Sequence, residues 1–343
     1  MLQAVLKSVE QSFKRKWKRL SNWPKFKKVG HDHACMKLAA TNSDVRNGFL
    51  KLPKVGFVRF RGLKKLPGNL KSFNLIRRAG DWYASLLFDV GDIQKPAAPV
   101  NSTVAFDRGV THLLASSNGD LIDNPRHLER SMKKLIRAQR ILSRRKKGSK
   151  RHEKQKLKVA RVHRDVANQR HDFLHQLTMT IAKNHGIVVL EDLKPSRMVH
   201  FNRGLSRSIL GARWSKMQGM LEYKLEERSG RLILVDPAYT SQTCSECGHI
   251  DRKNRGGKKF ECTNCGHQDD ADINAAKNIL ALGQRVIARG GTGAQGRPVK
   301  REVAKATWQH QHYVSSGQIL HVSSEPLSVK SVVINMELIE KNE

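Results

Sequence analysis

The sequence predicts an α/β fold: a central sheet crossed by helices, carrying a zinc ribbon and a long helical hairpin, and preceded by a small antiparallel sheet or barrel. Three observations predict it. Between residues 101 and 283 short apolar runs alternate with patterns of helical period. Cys244-x2-Cys247 and Cys262-x2-Cys265 stand fourteen residues apart, the spacing of a metal ribbon. From His33 to Val90 apolar and polar residues alternate in short runs, as in half-buried strands.

The chain has 343 residues, enough for two or three domains with a sizeable core. Lys and Arg total 64 against 30 acids, a formal charge of +34. That excess is far more than solubility needs, and its concentration in parts of the chain favours a polyanionic partner such as nucleic acid over a merely solvated basic surface. No run of eighteen apolar residues occurs, and MLQAVLKSVEQSFKRKWKRL lacks the apolar core and small-residue cleavage site of a signal peptide. A cytoplasmic protein is expected, with no membrane and no small-molecule substrate as partner. Five cysteines, four of them in the paired motif, fit a reducing compartment; the lone Cys35 is expected to pack as a small hydrophobe.

Residues 1–30 read as one basic amphipathic helix, with Val5, Val9, Phe13 and Trp17 at fourfold spacing, ended by the turn from Asn22 to Phe26. Residues 31–92 form the small antiparallel sheet or barrel, including GFVRFRGL and a hairpin turning at Ala79-Gly80-Asp81. DIQKPAAPVN is a linker. TVAFDRGVTHLLASSNGDLID then reads as strand, turn, strand, turn, with Gly109 and Asn118-Gly119 making the turns. Residues 127–184 carry two long helical patterns: Leu128, Met132, Leu135 and Leu142 mark the first, and Val159, Val162, Val166, Phe173, Leu177 and Ile181 the second, with KKGSK between them. Residues 127–170 hold seventeen Lys or Arg against Glu129, Glu153 and Asp165, so a phosphate backbone would lie here. The bland reading is a coiled-coil pair with a charged outer face, although such faces usually mix both signs. GIVVLED is a short buried strand ending in acids, followed by a helix from about Ser208 to Gly230 and a second buried strand, RLILVDP. Past Gly283, residues 284–343 read as a flexible or locally helical tail.

Four thiolates in two tight turns, each followed by a Cys-Gly step that lets backbone amides face the sulfur, suit zinc. Closed tetrahedral coordination makes such a site structural, since no position is left for water. An iron-sulfur centre is the alternative. His249 and His267 read as neighbours and not as ligands.

Three segments end in candidate acids: Asp107 at the end of the first strand, Glu191 at the end of GIVVLED, and one of Asp269, Asp270 or Asp272 after the ribbon. Singly, such acids are commonly turn formers or helix caps. Together, adjacent parallel strands would gather them. Clustered carboxylates must bind cations, and two Mg2+ ions would suit in-line displacement at a phosphodiester beside a basic surface.

VAFDRGVTHLLASSNG, GIVVLEDLKP, VDPAYTSQTCSECG and DADINAAKNIL together resemble the RNase H-like, RuvC-type nuclease of the TnpB (OrfB) family, transposon-encoded proteins related to type V CRISPR effectors. The resemblance covers residues 100–283, and residues 1–90 resemble the family's helical and wedge regions more loosely. It implies boundaries: a partial helical region at 1–30, a wedge-like barrel at 31–92, a nuclease domain at 101–240 with the hairpin 127–184, the ribbon at 241–268, the last nuclease segment at 269–283 and a tail at 284–343. It also maps Asp107, Glu191 and Asp272 onto the catalytic, magnesium-holding triad, leaving Asp269 and Asp270 as helix-start acids. The implied function is a DNA endonuclease directed by a guide RNA copied from the transposon end. Arg108 stands where many relatives are apolar, and could face a phosphate or point away from the sheet. By the same resemblance, the chain is expected to start inside the helical region, without the family's leading strand and first helices. Competing expectations are a nuclease-inactive or truncated binding protein acting as repressor, a transposase or recombinase, and a decayed reading frame.

Overall fold

The computed structural model describes residues 2–24, 35–39, 42–46, 48–61, 66–91, 96, 102–194, 198, 213–290, 319–320 and 329–337. The chain divides into two compact units, residues 1–94, 129–172 and 302–343 in one and 95–128 and 173–301 in the other.

In the first unit, α1 (Leu2–Trp17) precedes an antiparallel sheet of eight strands. These are β1 (Cys35–Ala39), β2 (Val45–Arg46), β3 (Phe49–Leu52), β4 (Gly56–Arg61), β5 (Asn69–Arg78), β6 (Asp81–Asp89), β15 (Ile319–Leu320) and β16 (Val329–Glu337). The order is β1-β5-β6-β16-β4-β3-β2, with β15 beside β16. Alternate residues of β6, Ala84, Leu86 and Phe88, are wholly buried and pack with Leu50, Phe60, Leu70 and Phe73, as the period of two requires. The β5–β6 hairpin turns on Ala79 and Gly80, both at positive φ (47° and 91°), the twist that suits a two-residue hairpin.

Two expectations are corrected here. The basic helix ends at Trp17, ahead of the turn from Asn22 to Phe26 that was expected to end it. The tail after Gly283 is not uniformly unstructured: β16 pairs along β6 from Val329↔Asp89 to Met336↔Trp82 and also pairs β4. Its β-branched run, VKSVVINME, supplies the strand propensity that the polar surroundings obscured. Cys35 lies in β1, but its side chain is outside the described ones.

The hairpin helices are α2 (His127–Ser143) and α3 (Lys150–Asn184), as the two periodic patterns predict. Gln155 of α3 donates to the Ala138 carbonyl of α2 at 2.9 Å. Within the first unit, Arg164 pairs with Asp81 and Arg161 donates to the Ala79 carbonyl at 3.3 Å. These contacts tie the part of α3 before Phe173 to the β5–β6 turn, and the hairpin is therefore shared between units where a single nuclease domain was expected to hold it.

The second unit is built on a five-stranded sheet of order β11-β10-β7-β8-β9. Its strands are β7 (Thr103–Asp107), β8 (His112–Ser116), β9 (Leu121–Asp123), β10 (Ile187–Glu191) and β11 (Arg231–Val235). β7, β8 and β9 form an antiparallel meander, whereas β10 runs parallel to both β7 and β11. Helices cover both faces: α4 (Trp214–Glu226) and the end of α3 on one, α5 (Ala271–Ala288) on the other. The predicted helix before β11 is thus α4; its expected start near Ser208 lies outside the described residues.

Alternation decides which face each residue serves. Val104, Phe106, Val188 and Leu190 pack with Ile181, Met217 and Leu221, while Ala105 and Val189 pack with Ile279 of α5. By the same period, Asp107 and Glu191 belong to the α5 face. That helix sits close: a Cβ on Gly283 would lie 2.5 Å from Val189 Cγ2. No helix among the described residues is long and apolar enough to cross a membrane.

Candidate metal centre and carboxylate site

The ribbon consists of β12 (Arg255–Gly256), β13 (Lys259–Glu261) and β14 (Gln268–Asp270), flanked by two knuckles of the same design. In the first, Cys244 N–H donates to the His249 carbonyl and Gly248 N–H to the Cys244 carbonyl. In the second, Cys262 N–H donates to His267 and Gly266 N–H to Cys262. Gly248 and Gly266 take φ of 74° and 72°, a left-handed conformation that costs glycine nothing. The N–H groups of His249 and His267 point at Cys247 and Cys265, so the two histidines act through their backbones and not as ligands.

The four Sγ atoms lie within 4.8 Å of one another, with Cys244–Cys265 at 3.7 Å and Cys247–Cys262 at 3.6 Å. Sulfurs about 2.3 Å from a common tetrahedral centre would be about 3.8 Å apart. The cluster therefore fits one metal ion with all positions filled. Phe260 closes it from below, packed with Cys244, Cys262 and Ala271.

Asp107 and Glu191 end neighbouring parallel strands, where Leu190 is in register with Phe106. Asp272 enters from the first turn of α5. Asp270 caps that helix, its carboxylate accepting from the N–H groups of Asp272 and Ile273 at 2.9 and 3.2 Å, which positions an acid near the positive end of the helix dipole. Asp269 is held by Lys277 at 2.8 Å. Asp269 and Asp270 thus serve the helix start, and Asp272 is the acid of the three whose charge acts on Asp107.

Asp107 feels both of the other carboxylates. Burial, and then the charges of Glu191 and Asp272, push Asp107 up to about 7, against a smaller downward pull from Arg255. Glu191 is also raised by burial, opposed by a hydrogen bond from Thr240 and by the charges of Arg108 and Arg255. The structure does not gather the acids as closely as the sulfurs, which are the only group of three or more possible metal ligands within 4.8 Å of one another among the described residues.

Several polar residues complete the site without having stood out in the sequence. Thr240 Oγ1 donates to Glu191 Oε1 at 2.7 Å. Asn278 donates to the carbonyls of Thr240 and Thr243, at 2.9 and 2.7 Å, and Asn274 to that of Thr243 at 2.8 Å. Two asparagines four apart on the buried face of α5 were the available signal. Arg255 donates to Asp272 Oδ1 at 2.8 Å. Arg108 does not face the α5 side. It is 4 % exposed, donates to Gln218 of α4 at 3.2 Å and to the Glu191 carbonyl, and braces the two strand ends from the opposite face.

Residues 214–279 match the family model described as "Cas12f1-like, TNB domain", and residues 85–202 the one described as "Probable transposase". Among relatives, InsQ of Escherichia coli (strain K12), an RNA-guided DNA endonuclease by name, is 38% identical over 316 residues, 88% of this chain and 78% of the relative. A protein of Streptomyces pristinaespiralis with the same kind of name is 33% identical over 294 residues, 84% of this chain and 72% of its own. Among solved structures, Cas12f1 in a complex with single guide RNA and target DNA matches at 20% identity and a TM-score of 0.38, over 80% of this chain and 77% of that one.

Proposed function

This chain belongs to the TnpB (OrfB) family of transposon-encoded proteins, and from that premise we infer that it is an RNA-guided DNA endonuclease. Its partners are a guide RNA and a target DNA. Its sequence-specific reading is delegated to base pairing, while the basic chain holds phosphates.

The five-stranded unit is its RNase H-like, RuvC-type nuclease. A meander of three antiparallel strands followed by two parallel ones supports this reading, and the inserted four-thiolate ribbon is assigned to structural zinc. The wedge-like role goes to the antiparallel sheet of the first unit.

Asp107, Glu191 and Asp272 are the catalytic acids, and they would hold Mg2+. The observation that carries this is Asp107, which burial first, and then the charges of Glu191 and Asp272, push up to about 7, because those two charges link three distant segments in one electrostatic site. Divalent cations bound there supply Lewis-acid stabilisation of the attacking and leaving oxygens. The chain's own residues prepare for that. Thr240 fixes one oxygen of Glu191, the Asp270 cap orients the turn bearing Asp272, and Arg108 holds the β7 and β10 ends at a fixed separation.

The test is cleavage of labelled DNA by the protein with its copurifying RNA in MgCl2. Asp107→Ala and Glu191→Ala each abolish cutting while DNA affinity, which comes from Lys and Arg, stays within about twofold. Undiminished cleavage by either variant withdraws the triad, and cleavage that persists after removal of the RNA withdraws guidance.

A further inference from the structure

Five of the eleven large apolar side chains that are exposed among the described residues fall between Leu6 and Trp23. Two of them are tryptophans, Trp17 at 69 % and Trp23 at 62 % exposure. Exposed indoles in such a concentration mark a surface that something covers.

Local structure explains how they come together. The N–H of Leu20 donates to the Arg15 carbonyl and that of Arg19 to Lys16, with Arg19 at φ 56°. This left-handed cap ends α1 and reverses the chain, so that Trp23 returns beside the last turn. Phe13 is shared: its ring centroid is 5.9 Å from that of Trp17, tilted by 35°, and 6.3 Å from that of Trp23, edge-on at 73°. Phe13 thereby holds together two indoles that both remain largely exposed.

The charge around them is one-sided. Residues 2–24 contain Lys7, Lys14, Arg15, Lys16, Lys18 and Arg19 against the single acid Glu10. Glu10 pairs with Lys14 at 2.6 Å, and Lys16 Nζ lies 5.3 Å from the centroid of Trp23. A second copy of this chain would meet the face with its own positive charge and is disfavoured. A polyanion that carries flat aromatic groups satisfies both features at once.

We propose that Phe13, Trp17 and Trp23, with the basic residues of the α1 C-terminus, form a stacking platform for unpaired nucleotides. Bases stack on Trp17 and Trp23 while Lys16, Lys18 and Arg19 follow the phosphates, which favours single strands over duplex because only unpaired bases offer a free face. The inference rests on the nucleic-acid role above but not on cleavage.

The experiment uses the full chain, freed of RNA at high salt and kept in EDTA. Tryptophan emission is followed on adding a thymidine oligonucleotide of about 12 nucleotides, within the span that single-strand sites occupy, or an abasic strand of the same length. The thymidine strand quenches and the abasic strand does not. Trp17→Leu/Trp23→Leu retains apolar area and charge, yet loses the base-dependent quenching and about tenfold or more in affinity for the thymidine strand. Its affinity for a blunt duplex is unchanged, and Trp17→Tyr/Trp23→Tyr restores most of the loss. Equal quenching by the abasic strand, or equal losses for single strand and duplex, overturns the proposal. So does a leucine variant that loses binding to polyglutamate, or self-association in sedimentation, in place of single-strand binding. Because no cleavage is read, failure of the nuclease assignment leaves these outcomes intact, and failure here leaves that assignment intact.

Discussion

The guanidinium of Arg255 donates to the carboxylate of Asp272 at 2.8 Å, so the ribbon places a positive charge on the acid that follows it. Arg255 opens β12, between the two cysteine pairs. Its charge also offsets part of the rise that burial causes at Asp107 and Glu191. The ribbon is therefore more than a clamp on the neighbouring helix, because it supplies the cation that balances the site.

An arginine among three carboxylates competes with any metal ion that binds them. Arg255→Gln should tighten Mn2+ binding at the carboxylates severalfold at low salt. The gain should shrink at about 1 M salt, where the screening length falls to about 3 Å. Free Mn2+ counted by electron paramagnetic resonance decides the matter, and equal affinity in the two proteins would sink the idea of competition.

Arg255 is placed by its neighbour. Asn254, 1 % exposed, donates to the carbonyls of Gln242 at 3.0 Å and His249 at 3.4 Å, and accepts from Thr263 N–H at 2.9 Å. It thus joins both knuckles. Asn254→Ala strands these buried groups and should cost about 2 kcal/mol or more, read as earlier zinc release to a chelator on heating. Cys262→Ser should abolish bound zinc outright, and in both variants Mn2+ affinity should move in the same direction as in Arg255→Gln. Wild-type zinc content in Cys262→Ser would refute the four-thiolate site.

Asp107 gives the site a pH dependence. Its folded-state value near 7 lies above the unfolded value of 3.8, so the folded protein binds the proton more tightly. Between about pH 4 and pH 7, stability of the metal-free protein therefore falls as pH rises, and below pH 4 the contribution is constant. Cation binding must expel that proton. Affinity should drop up to about tenfold per unit as pH falls below 7 and level off above it. Calorimetry in two buffers of different ionisation heat should report proton release at pH 6 that vanishes at pH 8; no release at pH 6 would mean that Asp107 is not the group displaced.

Much of this site was legible because its signals are local. Two Cys-x2-Cys turns declare themselves by spacing, and the strand ends at Asp107 and Glu191 follow from apolar runs that stop at an acid. What was not legible depends on partners far along the chain. Thr240 and Arg255 look like ordinary loop residues until β10 and α5 supply the groups they bind, and so does Asn254 until the two knuckles close around it. Asn274 and Asn278 matter only because the segment before Cys244 lies against α5. For β16 the difficulty was reversed: its β-branched residues were visible, but the strands it joins are near the other end of the chain, and no local pattern announces such a pairing.

The approach of α5 to the sheet tolerates no side chain at Gly283. An added Cβ would lie 2.5 and 2.7 Å from the two methyl carbons of Val189, and Val189 is wholly buried. Gly283→Ala should cost about 1–3 kcal/mol through this overpacking, although alanine is otherwise the better helix former. The paired variant Gly283→Ala/Val189→Ala should recover part of the loss. Chemical denaturation measures both, and a single variant more stable than the parent would show that the helix can shift away freely.

The position of β16 makes a distant segment structural. It lies between β6 and β4, so that without it both strands present unpaired backbone groups. Val333 is in register with Ser85 in the interior of that ladder. Val333→Pro removes a backbone donor and cannot continue a strand paired on both sides. The variant should lose protection from hydrogen exchange in residues 81–89 and aggregate more readily, while the ribbon, which belongs to the other unit, keeps its zinc. Unchanged exchange across β6 would mean that the first unit folds without this strand, and would return residues 329–337 to the status of a tail.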